Sequence, residues 1–278
     1  MQYILDACTI INLIHIDEDD YLMKKLSLLE FKICNKVFEE VRKNTNYKYK
    51  SAKPYPIELA NTNEQKLNYF RSKIHNDNSY LDLSDSISEL FSYSKENGEY
   101  LSILLSCYLN TFEKTQILFI TDDKPAKDFF NTFLNNNKIG YIEDSVDLLV
   151  LLYRQHQDFT SIFLKKYLSA LYSEYTSEYS LIQKVVNEYQ IPKYQIRNKE
   201  ASINLDQIRN AFRNHDIELA TKIYYRICEQ KKENQYLYDL LSKHSSFFKK
   251  KPSTDLLKKI TENMKFVDSQ IFFKYFKN

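Results

Sequence analysis

The chain has 278 residues, 43% of them hydrophobic and 15% aromatic, which is material for one large domain or two of ordinary size. Only two glycines and five prolines argue against an all-β chain full of tight turns, and four scattered cysteines without a CxxC pair argue against a disulfide framework or a zinc site. The net charge of +2 divides unevenly, with residues 1–160 at −6 and residues 161–278 at +8. That division suits a cation-loaded carboxylate cleft beside a phosphate-attracting arm, and equally two ordinary solvated surfaces.

No signal peptide is read at the start, and no apolar run approaches the roughly 20 residues needed to span a bilayer. A soluble protein of a reducing cytoplasm, with no membrane partner, is the expectation.

In chain order, Tyr3-Ile4-Leu5 is a short buried strand ending at Asp6, and Ile10, Ile11, Leu13 and Ile14 follow at helical spacing. Residues 17–20, Asp-Glu-Asp-Asp, form an acidic loop or helix start. Residues 31–34 are a second strand; Asn35 is placed to cap a helix over 36–43. Residues 44–56 form a basic-aromatic loop, 57–60 a small strand and 64–75 an amphipathic helix. Two helices follow, one over 85–95 capped by Ser84 and broken at Asn97-Gly98, the other from Glu99 to about Asn110. Residues 116–120 form the clearest buried strand, ending at Thr121-Asp122-Asp123; a helix to about Leu134, a strand at 139–142 and a helix capped by Asp144 or Ser145 complete the series to His156. Strands alternating with helices predict a parallel, doubly wound α/β sheet flanked by helices over residues 1–155.

From Phe159 onward the period is helical throughout, predicting an all-α domain over 156–278. Its helices are expected near 159–177, 179–190, 203–214, 216–231, 235–242 and 253–265, with a break at 191–202. Residues 205–230 read as a helical hairpin with Asp216 capping the return helix, and a basic cluster, Lys249, Lys250 and Lys251, precedes the last one.

Four acidic positions then stand out. Asp6 ends the first strand, Glu40 lies in the Val37–Val41 helix, Glu99 opens a helix, and Asp122 and Asp123 follow the strand over 116–120. In an open α/β sheet the carboxyl edge of the strands is where sites are built. Several carboxylates packed there would repel one another and take up protons unless a cation joined them. Hard divalent ions such as Mg²⁺ or Mn²⁺ favour oxygen ligands of this kind.

The segments YILDACTIINL, VFEEV, NGEYLSILLS and ILFITDD followed by KPAKDFF make residues 1–155 resemble a PIN domain, the fold of many toxin-antitoxin ribonucleases. The resemblance implies Asp6, Glu40 and Glu99 as metal ligands, with either or both of Asp122 and Asp123 as the fourth. It also implies Mg²⁺- or Mn²⁺-dependent endonucleolytic cleavage of RNA, leaving 5′-phosphate and 3′-hydroxyl ends. An antitoxin or defence-complex protein as partner, and pairing into a homodimer, come with it. A catalytically weak PIN-fold binding or regulatory subunit of a larger complex is the alternative. Thr121 matches the family's usual Thr before the last acid, and Thr9 and Thr121 are candidate substrate contacts. The chain departs from the pattern at Cys8, where Ser, Thr or Asn is usual, and at Tyr100, where a small residue is common.

In the second half, Arg209 and Asn210 with His215 match the Arg-x5-His spacing of helical HEPN ribonucleases, which cleave RNA without metal. The same stretch is similar to one tetratricopeptide-like unit, in which these residues form a surface turn. The basic, Tyr-rich surface, Lys249, Lys250 and Lys251 included, is suited to tracking RNA by charge and stacking, and equally to binding a protein.

Overall fold

The computed structural model describes residues 1–46, 57–90, 97–190, 199–214, 216–250 and 254–275. The chain is mostly helical around one small sheet, in the order β1 (Gln2–Leu5), α1 (Ala7–Ile16), α2 (Tyr21–Leu26), β2 (Phe31–Lys32), α3 (Asn35–Asn44), α4 (Ile57–Arg71), α5 (Ser84–Leu90), α6 (Gly98–Phe112), β3 (Ile117–Ile120), α7 (Lys124–Asn136), β4 (Gly140–Glu143) and α8 (Ser145–Gln155). The helices α9 (Ser161–Glu188), α10 (Lys199–Arg213), α11 (Ile217–Glu229), α12 (Gln235–Leu241), α13 (Ser245–Lys250) and α14 (Thr254–Tyr275) complete it.

The sheet is parallel throughout, with strand order β2-β1-β3-β4. From β1 the chain moves to one side for β2, then crosses back over β1 to place β3 and β4 on the other. The order therefore reverses between β1 and β3, and it is outside the carboxyl ends of such strands that open α/β sheets build their sites. Both are buried because helices cover them: Ile4, Ile117, Phe119 and Ile120 are fully buried and Leu5 nearly so. At roughly 1.5–3 kcal/mol for each such side chain, this core fixes the register that places the following residues. Leu5 lies opposite Ile120, which lies opposite Glu143, so Asp6, Thr121 and Asp144 begin the next rung together.

The chain divides into two compact units, one of Met1–Leu171 with Lys259–Asn278 and one of Tyr172–Lys258. This differs from the boundary expected at residue 155: residues 156–171 and the greater part of α14 go with the sheet. The second unit is helical, its core built from side chains such as Ile208, Phe212, Ile223, Tyr224, Ile227 and Phe248. Tyr224 and Phe248 stack with ring centroids 4.1 Å apart. The hairpin read over 205–230 is present as α10 and α11, and Asp216 caps α11 by accepting from the Leu219 amide.

Several local expectations are corrected. Residues 57–60 open α4 instead of forming a strand; a short apolar run cannot by itself distinguish the two, and α4 buries Leu67 and Phe70 on one face. The helix read over 64–75 ends at Arg71, and Ile74 instead makes a parallel bridge with Ile33. Asn35 lies inside α3 instead of capping it, with Cys34 extended at the cap position. Ser84 is the first residue of α5, following a 3₁₀ turn over Ser79–Leu83. The helices expected at 159–177 and 179–190 are one continuous helix, since no Gly or Pro lies between them. The acidic run is partly internal: buried Asp17 accepts from the Leu22 and Met23 amides at 2.9 Å each, capping α2. The loop read over 44–56, the end of the helix read to 95 and the break read at 191–202 lie largely outside the described residues. Among the described residues, no helix is long and apolar enough to cross a membrane.

Candidate functional site at the carboxyl edge of the sheet

Asp6 acts electrostatically on both Glu40 and Glu99. It ends β1, its amide donates to the Ile120 carbonyl (3.0 Å), and its residue is 2% exposed. One carboxylate oxygen, Oδ2, accepts from Thr121 Oγ1 (2.9 Å) and from Cys8 Sγ (3.0 Å). Cys8 thus supplies the donor that a Ser or Thr would supply. Burial, and then the charges of Asp6 and Asp122, push its thiol well above the ordinary range, so it stays protonated and able to donate. The same sulfur accepts from the Asp122 amide (3.3 Å).

Glu40 comes from α3, where the alternative, Glu39, is exposed. Its Oε1 accepts from the Gly98 amide (3.1 Å) at the start of α6. Gly98 permits that approach: a Cβ at this position would lie 2.9 Å from Glu40 Oε2. Glu99 follows directly. Asn97 caps α6, accepting from the Tyr100 amide (3.0 Å), and its side-chain amide donates to Glu99 Oε2. Asp123 caps α7 through the Ala126 amide (2.9 Å), and its own amide donates to Thr121 Oγ1 (3.1 Å).

These four carboxylates feel one another. Burial raises Asp6 above the ordinary carboxylate range, and Asp123 adds to the rise. Burial and Asp6 raise Glu40. Glu99 is pushed up to about 7, first by burial and then by Asp6, Asp123 and Glu40. The donor set is therefore all hard oxygen, with a mutual repulsion that Lys36 offsets in part at Glu40, a chemistry that fits Mg²⁺ or Mn²⁺. Among the described residues, no group of three or more His, Cys, Asp or Glu side chains stands in an arrangement ready to hold a metal ion. The four acids converge electrostatically without closing into a coordination sphere.

The two acids after β3 part company. Asp122 Oδ1 accepts from the Ser145 amide (2.8 Å), and Oδ2 accepts from Asn12 Nδ2 (2.9 Å) and from the Ser145 hydroxyl. Asp122 ties β3 to α1 and α8, while Asp123 acts on Asp6 and Glu99. Thr9 and Thr121 are both fully buried, and Thr9 donates to the Ile120 carbonyl (3.3 Å). Both hydroxyls position backbone and carboxylate instead of presenting themselves to a substrate, which corrects their reading as substrate contacts.

Arg209 donates to the Val186 carbonyl (3.1 Å), the Asn187 carbonyl (3.4 Å) and the Tyr189 carbonyl, capping the end of α9. Its fork is thus committed to backbone oxygens in place of a phosphate. Asn210 is exposed, and His215 lies outside the described residues. Lys251 lies outside them too, as do the side chains of Lys249 and Lys250.

Asn12, Asn97 and Ser145 were not anticipated as site residues. Asn97 carried a usable signal, an Asn directly before Gly-Glu at a helix start. Asn12 and Ser145 carried none, because their partner lies 110 and 23 residues away.

The shifts make a prediction about pH. An acid whose folded pKa is raised holds its proton in the folded chain while the unfolded chain has lost it, so stability falls as pH rises through that window. For Glu99 the window runs from 4.5 to about 7, and the upward shifts of Asp6 and Glu40 act in the same sense. The thermal midpoint of metal-free protein is expected to drop across this range, and Glu99→Gln to flatten the drop. A midpoint that climbs from pH 5 to 7 in both proteins would contradict the electrostatic account.

The chain matches no family model, no curated protein and no solved structure.

Proposed function

We propose that the chain is a divalent-metal-dependent endoribonuclease built on a PIN-like α/β domain. The observation that carries the reading is the convergence of Asp6, Glu40, Glu99 and Asp123, from four separate segments, at the carboxyl edge of the sheet where the strand order reverses. RNA as substrate rests on the resemblance of the segments around those acids. Asp6, Glu40, Glu99 and Asp123 would hold Mg²⁺ or Mn²⁺, with Asp122 bracing the loop.

Bound there, a divalent ion would supply the Lewis acidity that activates water for attack on a phosphodiester and stabilises the leaving oxygen. The chain's own contribution is preorganisation. Thr121 and Cys8 hold Asp6, Gly98 holds Glu40, Asn97 holds Glu99, and Thr121 holds the backbone of Asp123.

Purified protein is expected to cleave single-stranded or structured RNA with Mn²⁺ or Mg²⁺, and EDTA to stop it. Cleavage that survives chelation would reject the reading. A second reading, a PIN-fold binding or regulatory subunit, is favoured by the lack of three ligands already in coordinating arrangement among the described residues. It expects no cleavage, and no heat on titration with Mn²⁺.

A further inference from the structure

α14 reaches the edge of the candidate site through one side chain. Lys259 Nζ donates to Asp144 Oδ2 (3.0 Å) and to Asp147 Oδ2, and Lys127 Nζ donates to the same Asp144 oxygen (2.8 Å). Asp144 is 4% exposed and is the N-cap of α8: its Oδ1 accepts from the Val146 (3.0 Å) and Asp147 (3.1 Å) amides. Asp147 closes a capping box by accepting from the Asp144 amide (3.1 Å).

The next residue, Ser145, is fully buried and gives both its amide and its hydroxyl to Asp122. Asp122 in turn donates its amide to Cys8, whose thiol donates to Asp6. Every link is a hydrogen bond or ion pair between packed groups, so the start of α8 cannot shift without moving the loop that carries Asp122 and Asp123.

We propose that Lys259 is a positioning residue for the candidate site, holding the start of α8 so that Ser145 and Asp122 set the place of Asp123. This rests on the nuclease reading above. Physically, Lys259 neutralises a nearly buried carboxylate whose other oxygen is already committed to helix amides. Without the lysine, Asp144 keeps only Lys127 and gains a reason to turn toward water, which loosens the cap and the Ser145 amide with it. A misplacement of about 1 Å at a reacting centre costs up to roughly 100-fold in rate, so a small displacement is enough to be read.

The test uses the full chain with Lys259→Met, Lys259→Arg and Ser145→Ala, the last removing the hydroxyl half of the Ser145–Asp122 link while leaving the amide half and the ion pairs in place. Hydrogen exchange is followed at the amides of Asp122 and Asp123, together with kcat and KM for RNA cleavage in Mn²⁺. In Lys259→Met, exchange at these amides is expected to quicken about tenfold. kcat should fall about tenfold while KM stays within about twofold. Arg at 259 should restore both, and Ser145→Ala should move exchange and kcat in the same direction by a smaller factor, which also serves if Lys259→Met fails to fold. Exchange and kcat unchanged in Lys259→Met overturn the proposal, as do faster exchange with unchanged kcat and a change confined to KM. If the wild type cleaves no RNA, the nuclease reading fails separately, and exchange at Asp122 and Asp123 decides whether Lys259 positions the loop.

Discussion

Asp6→Asn is expected to abolish RNA cleavage while leaving the metal-free fold as stable as the wild type or more so. The two signs have one cause. Asp6 is almost fully buried, beside Glu40, Glu99 and Asp123, and burial is the main force raising its pKa. Its charge is costly to the folded chain and useful only to a cation. An asparagine of the same shape can keep its oxygen toward Thr121 and Cys8, which at present donate at 2.9 and 3.0 Å. The buried charge is then gone and the bonds from Thr121 and Cys8 remain, while the new amide gives up the acceptor that met the Ala7 amide; loss of the charge outweighs that by about 1 kcal/mol. A metal centre contributes several kcal/mol to the transition state, and each 1.36 kcal/mol is about tenfold, so loss of the first ligand costs roughly 1,000-fold in kcat/KM. The measurements are single-turnover cleavage in Mn²⁺ and thermal unfolding in EDTA. Cleavage within about tenfold of wild type would remove Asp6 from the site. A lower unfolding midpoint in EDTA would instead make Asp6 a structural acid.

The second large effect concerns folding. Gly140 begins β4 and lies opposite Ile117 of β3. A Cβ there would sit 1.9 Å from the Ile117 carbonyl oxygen and 2.7 Å from its carbon. Gly140 has no positive φ, so its role is close approach of two backbones and not backbone freedom. Neither partner can yield without breaking the β3–β4 ladder, so Gly140→Ala should cost about 3 kcal/mol or more. For a unit of this size that lowers the thermal midpoint by roughly 6–12 °C. An unchanged midpoint would mean that β4 is not held against β3 as described. Gly98 offers the contrast, because the nearest atoms a Cβ there would meet belong to the side chains of Glu40 and Val37 and not to backbone. One glycine guards the sheet and the other guards the site.

Much of the α/β unit was legible in the residue order. Tyr3–Leu5 is a short apolar run ending at Asp6, Ile117–Ile120 is one followed by Thr121-Asp122-Asp123, and strand signals alternating with helix signals allow few arrangements besides a parallel sheet. Asp144 as a helix cap was readable because capping is local. Residues 57–60 were misread because three apolar residues around Glu58 fit strand and helix alike until Leu67 and Phe70 are seen to bury on one face. The continuity of α9 through residue 178 was missed for the opposite reason, a break having been expected where no helix-breaking residue stands.

By itself, then, the sequence determined where the strands and most helices lie and which acids end them, because periodicity and capping act over a few residues. It did not separate Asp122 from Asp123, adjacent and chemically identical. Tertiary structure separates them: Asn12 and Ser145, from α1 and α8, bond the carboxylate of Asp122, while Asp123 caps α7 and acts on Asp6 and Glu99. It likewise turned Arg209 to the end of α9 and brought Lys259 to Asp144, 115 residues away in the chain. Hydrogen bonds between distant segments depend on how the apolar core stacks those segments, and no local pattern of residues records that distance.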